Sequence, residues 1–160
     1  MSYSIYIGNA ELAGELDDGE YRASYEVPEV TLPDAPAFPF DEMSQNKNGR
    51  HPGYSQWDMF CQSAGLRDLF FDADAGLMRQ HPGCFAITPD HLEHVRSRRM
   101  EWERRHPNAV PGFDFSPRMH QPTQDDGVRD RDGVLARLLW LEWWMEWALQ
   151  NCERPAIANQ

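Results

Sequence analysis

The chain has 160 residues, with hydrophobic residues at 41%, aromatics at 12%, and 26 Asp/Glu against 15 Lys/Arg for a formal net charge of −11. The apolar content supports a real core and excludes wholesale disorder. The acidity excludes a sequence-independent nucleic-acid binder and disfavours contact with anionic membranes.

The charge is unevenly distributed. Residues 1–46 hold ten acids against Arg22 alone, whereas 88–107 hold five arginines against four acids. Acid density of this kind favours solubility and suits a basic partner. Arginine supplies fourteen of the fifteen cations, a skew that reflects genome base composition more than chemistry. The opening MSYSIYIGNAE has no basic residue before an apolar run, so no secretory signal is expected and the expected compartment is the cytoplasm. No stretch approaches the roughly 20 apolar residues of a bilayer span. The best, 134–149, is interrupted by Arg137, Glu142 and Glu146. Cys61, Cys84 and Cys152 are odd in number and widely spaced, which fits three inert core thiols in a reducing cytosol better than a disulfide frame or a zinc site. One domain over 1–160 is expected.

In chain order, Tyr3 to Ile7 reads as a strand ended by Gly8-Asn9. After the turn Asp17-Asp18-Gly19, strict alternation follows, with Tyr21, Ala23, Tyr25 and Val27 on one face and Arg22, Ser24 and Glu26 on the other. That predicts a half-buried strand in a small antiparallel sheet, bent or ended by Pro28. Residues 33–54 are rich in proline, asparagine and glycine and are expected to be a long loop. Ser55 with Asp58 predicts a helix start, Trp57, Phe60 and Cys61 its inner face, and Gly65 its stop. Leu66, Leu69, Phe70 and Phe71 form a second apolar turn.

Thr88-Pro89-Asp90 supplies a cap, a first-turn proline and an acid on the helix dipole. It starts a helix expected to reach Arg105 and to lie on the surface, because its apolar stripe is only Leu92, Val95, Met100 and Trp102. A second loop is expected at 107–126, and a last helix from Asp130 or Asp132 to about Asn151.

That last helix contains LLWLEWWMEW, with four of the six tryptophans. At about 100° per residue, Val134, Leu138, Leu141, Met145, Leu149 and Cys152 form an aliphatic seam, while Trp140, Trp143, Trp144 and Trp147 cluster on the opposite side. Arg137 and Asn151 flank the tryptophans on one edge, and Glu142, Glu146 and Gln150 on the other. A helix apolar on two faces is either sandwiched within its own domain or covered by another chain. The interface alternative puts Trp140 and Trp144 in a homo-oligomer or partner contact, because tryptophan is enriched at interface centres. Trp143 and Trp147 would then close the core.

Motifs for chemistry fall short. His91 and His94 are spaced i, i+3, which matches neither HExxH nor HxxEH, and two histidines near a helix start is the simpler reading. Asp72-Ala-Asp-Ala-Gly begins like a calcium loop but has Gly83 where position twelve needs a glutamate; it reads as a turn. Glu142 and Glu146 form an i, i+4 carboxylate pair expected to be a solvated or Arg-paired edge. Cys84 beside Phe85 and Ile87 is expected to be an inert thiol. His81-Pro82-Gly83 reads as a fixed turn and a pocket rim, with Arg96 and Arg99 as further rim candidates.

The phrases from Tyr3 (YSIYIGNAE), Gly53 (GYSQW), His81 (HPGC) and Leu135 (LARLLWLEWW) resemble small acidic proteins encoded by bacteriophages and prophages, a group with no assigned chemistry. The resemblance implies an accessory gene acting inside a bacterial cell and implies no residue role.

These readings converge on an α+β fold, a small N-terminal antiparallel sheet packed on three or four helices with the Trp-rich helix central. The expected function is a non-enzymatic interaction protein that binds or inhibits a host protein. Its contact surface would be the acidic N-terminal third or the Trp face with Arg137, Glu142 and Glu146. No cofactor or metal is expected. The runner-up is a small-ligand or nucleotide binder using Trp stacking and arginines. A metal-dependent hydrolase using His91, His94, Glu142 and Glu146 stands third.

Overall fold

The computed structural model describes residues 1–15, 23–38, 46–112 and 131–160. The expected turn at 17–19, Tyr21 and Arg22, the middle of the first loop and 113–126 of the second lie outside them. The fold is α+β. Its main sheet has four antiparallel strands in the order β4 (Gly49–Arg50), β1 (Ile5–Asn9), β8 (Pro155–Asn159) and β5 (Gly83–Ala86). Four helices are described: α1 (Tyr54–Ala64), α2 (Arg67–Phe71), α3 (Pro89–Arg105) and α4 (Gly133–Asn151). A separate ribbon pairs β2 (Glu11–Glu15) with β3 (Ala23–Glu26), and β6 (Val110–Pro111) runs parallel to β7 (Arg131–Asp132).

The helices follow their local signals. Thr88 caps α3, its hydroxyl accepting from the His91 N–H at 3.4 Å, and Pro89 opens the first turn. Asp132 caps α4 through the Leu135 N–H at 2.9 Å. Gly65 ends α1 at φ 69°, a left-handed conformation that suits glycine. The predicted start of α1 needs correction. Gly53 is its N-cap, its N–H donating to Gln56 Oε1 at 3.0 Å, and Ser55 lies inside the first turn.

The sheet departs further from expectation. β1 continues through Gly8-Asn9 and never pairs with β3; it pairs with β8 and β4. The ribbon forms a two-stranded sheet of its own and touches the main sheet where β3 meets β5, with Tyr25 exposed and Val27, beyond the strand end, buried against Ala10, Ala156 and Ala158. The expected loop at 33–54 contributes β4 and the first residue of α1. Within it Asn48 is fully buried: Oδ1 accepts from Val30 N at 2.7 Å, and Nδ2 donates to Ile7 O at 3.0 Å and Pro28 O at 2.8 Å. One side chain thereby fastens the root of the ribbon to the sheet and satisfies backbone groups that would otherwise be buried unpaired.

Helix α4 is the central layer, in contact with α1, α3, β1 and β8. Leu138, Leu141, Met145, Trp140 and Trp144 are all buried in one core with Ile5, Ile7, Trp57, Phe60 and Ile157. A helix apolar all round belongs inside, and here the chain supplies both covers.

Candidate functional site

The residues singled out from the sequence occupy five separate places. Trp140 and Trp144 are 1% and 0% exposed. Trp140 Nε1 donates to Lys47 O at 2.9 Å and its ring lies under the Arg50 guanidinium at 4.9 Å. Burial, then the charge of Arg137, pulls that guanidinium down to about 9, still cationic at neutral pH. Trp144 meets Trp143 and Trp147 edge-on at 4.9 and 5.4 Å. This corrects the interface assignment: the two rings expected to face a partner are the two most buried, because strands β1 and β4 cover that side of α4. Trp143 and Trp147 are half-buried.

Glu142 and Glu146 lie on the side of α4 toward α3, Glu142 largely covered and Glu146 nearly half exposed. Arg99 Nε and Nη2 hold the two oxygens of Glu142 at 2.7 and 3.0 Å, Arg96 Nε adds 3.1 Å, and Arg96 reaches Glu146 at 3.5 Å. Burial pushes the Glu142 carboxyl up, but the hydrogen bonds from Arg99 and Arg96 outweigh it and hold it below the ordinary carboxylate value. Arg96 and Arg99 therefore clasp two helices, away from the cleft at Arg137. With both Glu142 oxygens engaged by arginine, the carboxylate is also poorly placed to join His91 and His94 as a ligand. Among the described residues no group of three or more His, Cys, Asp or Glu is assembled for a metal. His91 Nδ1 instead accepts from Thr88 N at 3.1 Å, and Asp72 Oδ1 closes a turn on the N–H groups of Asp74 and Ala75. Burial raises the Cys61, Cys84 and Cys152 thiols, which keeps them protonated and unreactive.

Arg137 is buried, its guanidinium 5.7 Å from the Phe60 ring centroid. It lines a cleft of about 760 Å³ between α1, the start of α4 and the turn after α3, with Met59, Phe60, His106, Ala109 and Val134. Neither Arg96 nor Arg99 reaches it.

His81 stands beside the sheet, at the N-terminal end of α1. Its Nδ1 meets Asn159 Oδ1 at 2.5 Å and its Nε2 meets the Tyr54 hydroxyl at 3.0 Å. Asn159 is 1% exposed, and its Nδ2 donates to Gln80 O at 3.0 Å. Tyr3 packs on both rings, 4.4 Å from Tyr54 and 5.1 Å from His81.

The last place is the ribbon. Leu12 and Tyr25 face one another across β2 and β3 and are 54% and 45% exposed. The next cross-strand pair, Glu11 with Glu26, puts two exposed carboxylates opposite each other. Like charges so placed destabilise a two-stranded pair. The Arg154 guanidinium, 5.8 Å from the Tyr25 ring centroid, leans the ribbon toward the start of β8.

Sequence reasoning found His81 but missed Tyr54 and Asn159. Tyr54 was read as loop, and Asn159 followed the last predicted element. Comparison with family models, with curated proteins and with solved structures finds no match to this chain. No helix among the described residues is long and apolar enough to cross a membrane.

Proposed function

We propose that the protein is an interaction protein that binds, and thereby inhibits, a basic host protein, using the β2–β3 ribbon as its contact surface. The observation that supports this most is the exposed Leu12–Tyr25 pair beside the opposed Glu11 and Glu26. An isolated two-stranded ribbon is marginal in water, and this one adds like-charge repulsion. Consecutive pairs point to opposite faces of a ribbon. A partner would therefore cover the apolar pair with one surface while its positive charge acts on Glu11 and Glu26 through the thin ribbon, at a distance comparable with the screening length of about 8 Å. Both features then favour the bound state. The excess of acids in residues 1–46 extends the same field and would steer a basic partner toward it. The resemblance to phage and prophage proteins supplies the setting, a bacterial host.

The test is affinity capture from bacterial lysate with the wild type, Leu12→Ser/Tyr25→Ser and Glu11→Lys/Glu26→Lys. The expected result is a basic protein held by the wild type, released by salt and lost from both variants. Capture that is indifferent to both ribbon variants would refute the ribbon.

A second reading, a small-ligand binder, draws on the cleft at Arg137, whose size lies within the usual range for ligand pockets. A thermal shift with nucleotides that Met59→Arg abolishes would favour it.

A further inference from the structure

The chain Tyr54–His81–Asn159 lies outside the ribbon and has a defined hydrogen-bond direction. Because Asn159 Nδ2 donates to Gln80 O, its Oδ1 faces His81 and accepts. His81 Nδ1 therefore carries the proton, and neutral His81 has its lone pair on Nε2, aimed at the Tyr54 hydroxyl 3.0 Å away. A hydroxyl, an imidazole base within hydrogen-bond reach and a third group fixing the imidazole tautomer form the arrangement that activates a nucleophile. Fastening the turn at His81 requires only the bond to Asn159; the Nε2 contact adds a base to a phenol. His81 is exposed and Tyr54 half-buried, so the hydroxyl can be approached from solvent.

We propose that Tyr54 is a nucleophilic phenol that accepts acyl groups from uncharged thioesters or aryl esters, with His81 as its base and Asn159 as the residue positioning that base. The leaving group sets the substrate class. A phenol has an ordinary pKa of about 10 and a thiol about 8.5, so Tyr54 displaces a thiol or an activated phenol readily, whereas an alkoxide is far too basic to leave. Asp58 bears its charge on Tyr3, which packs on Tyr54, and this carboxylate, only partly offset by Arg67 at 2.9 Å, repels a phosphate ester but not an uncharged electrophile. In the step, Tyr54 Oη bonds to the acyl carbon as the C–S or C–O(aryl) bond breaks. The Oη proton passes to His81 Nε2 and then to the departing thiolate or phenolate. Water deprotonated by the same Nε2 removes the acyl group and returns Tyr54. The sum is ester or thioester hydrolysis, with no change of oxidation state.

The experiment uses the full chain and p-nitrophenyl acetate, with peptide mass mapping of acetylated residues over time. Acetyl-Tyr54 should form at least about 10-fold faster than acetyl-Tyr25, which is exposed but has no histidine partner. His81→Gln should lower the Tyr54 rate by about 100-fold, the low end of what general base catalysis contributes. Asn159→Asp, which retains an accepting oxygen, should keep most of the rate, while Asn159→Leu should lose it as His81→Gln does. Thermal melts establish that each variant is folded, and Tyr54→Phe and His81→Gln decide the matter if the buried Asn159 variants are not. Acetylation of Tyr54 at the rate of Tyr25, or a Tyr54 rate unchanged in folded His81→Gln, would overturn the proposal.

Discussion

Helix α4 and the β2–β3 ribbon show two opposite ways of using aromatic and acidic residues. On α4 the acids are neutralised inside the molecule, Glu142 by Arg96 and Arg99, and the rings of Trp140 and Trp144 are enclosed. On the ribbon Glu11 and Glu26 oppose each other and Leu12 and Tyr25 stand in solvent. The first region is satisfied by its own chain and contributes to stability. The second has unspent apolar surface and unrelieved charge, which is what a contact surface needs.

The sharpest test of this contrast is Trp140→Ala. It empties a fully buried site and removes the bond to Lys47 O, and should cost about 3–5 kcal/mol in urea unfolding. Tyr25→Ala on the ribbon should cost far less. Comparable losses at the two sites would break the distinction. Next in size is Asn48→Ala at the ribbon's root, which strands Val30 N, Ile7 O and Pro28 O and should cost about 2–3 kcal/mol. Circular dichroism melts that fall for Asn48→Ala but hold for Tyr25→Ala would separate the root of the ribbon from its tip.

Glu142→Gln should cost about 2 kcal/mol at neutral pH, in the range for hydrogen bonds to a charged group with modest exposure. Its pH dependence has a definite sign. The folded-state pKa of Glu142 lies below its unfolded value, so the carboxylate's contribution is fully present above the ordinary glutamate pKa of about 4.3 and is lost as pH falls through the depressed value. The gap between wild type and Glu142→Gln should therefore be constant from pH 5 to 7 on this account and close below about pH 4. A gap that widens on acidification would contradict the clasp. Thr88→Ala should cost about 1 kcal/mol through loss of the α3 cap, read from the same denaturation curves.

The smallest effect on stability, and the most telling for the ribbon, is Glu11→Gln. Relief of the Glu11–Glu26 repulsion should raise stability slightly, within the roughly 0.5 kcal/mol usual for surface substitutions, while weakening capture of a basic partner. Lower stability in low-salt melts would mean that the two carboxylates do not repel.

The amino-acid sequence alone determined the helices, because their signals lie within a few residues of one another: Thr88 with Pro89, Asp132 before α4, Gly65 after α1. It also determined that α4 is apolar on two faces and that Glu142 and Glu146 share one edge of it, since both follow from helical periodicity, whereas the pairing of Glu142 with Arg96 and Arg99 was decided by the packing of α3 on α4. The tertiary structure decided what covers those faces and which strands pair. β8 reads only Pro-Ala-Ile-Ala-Asn, too short and too poor in branched residues to declare itself, yet it is central in the sheet. Its alanines are small because Val27 and Ala10 pack onto that side, while Ile157 enters the main core on the other. The meeting of Tyr54, His81 and Asn159 was likewise invisible, since the last two are 78 positions apart. Helix signals are local and act through the backbone of one turn, whereas strand pairing and side-chain clusters depend on partners far along the chain, which only the packed core brings into register.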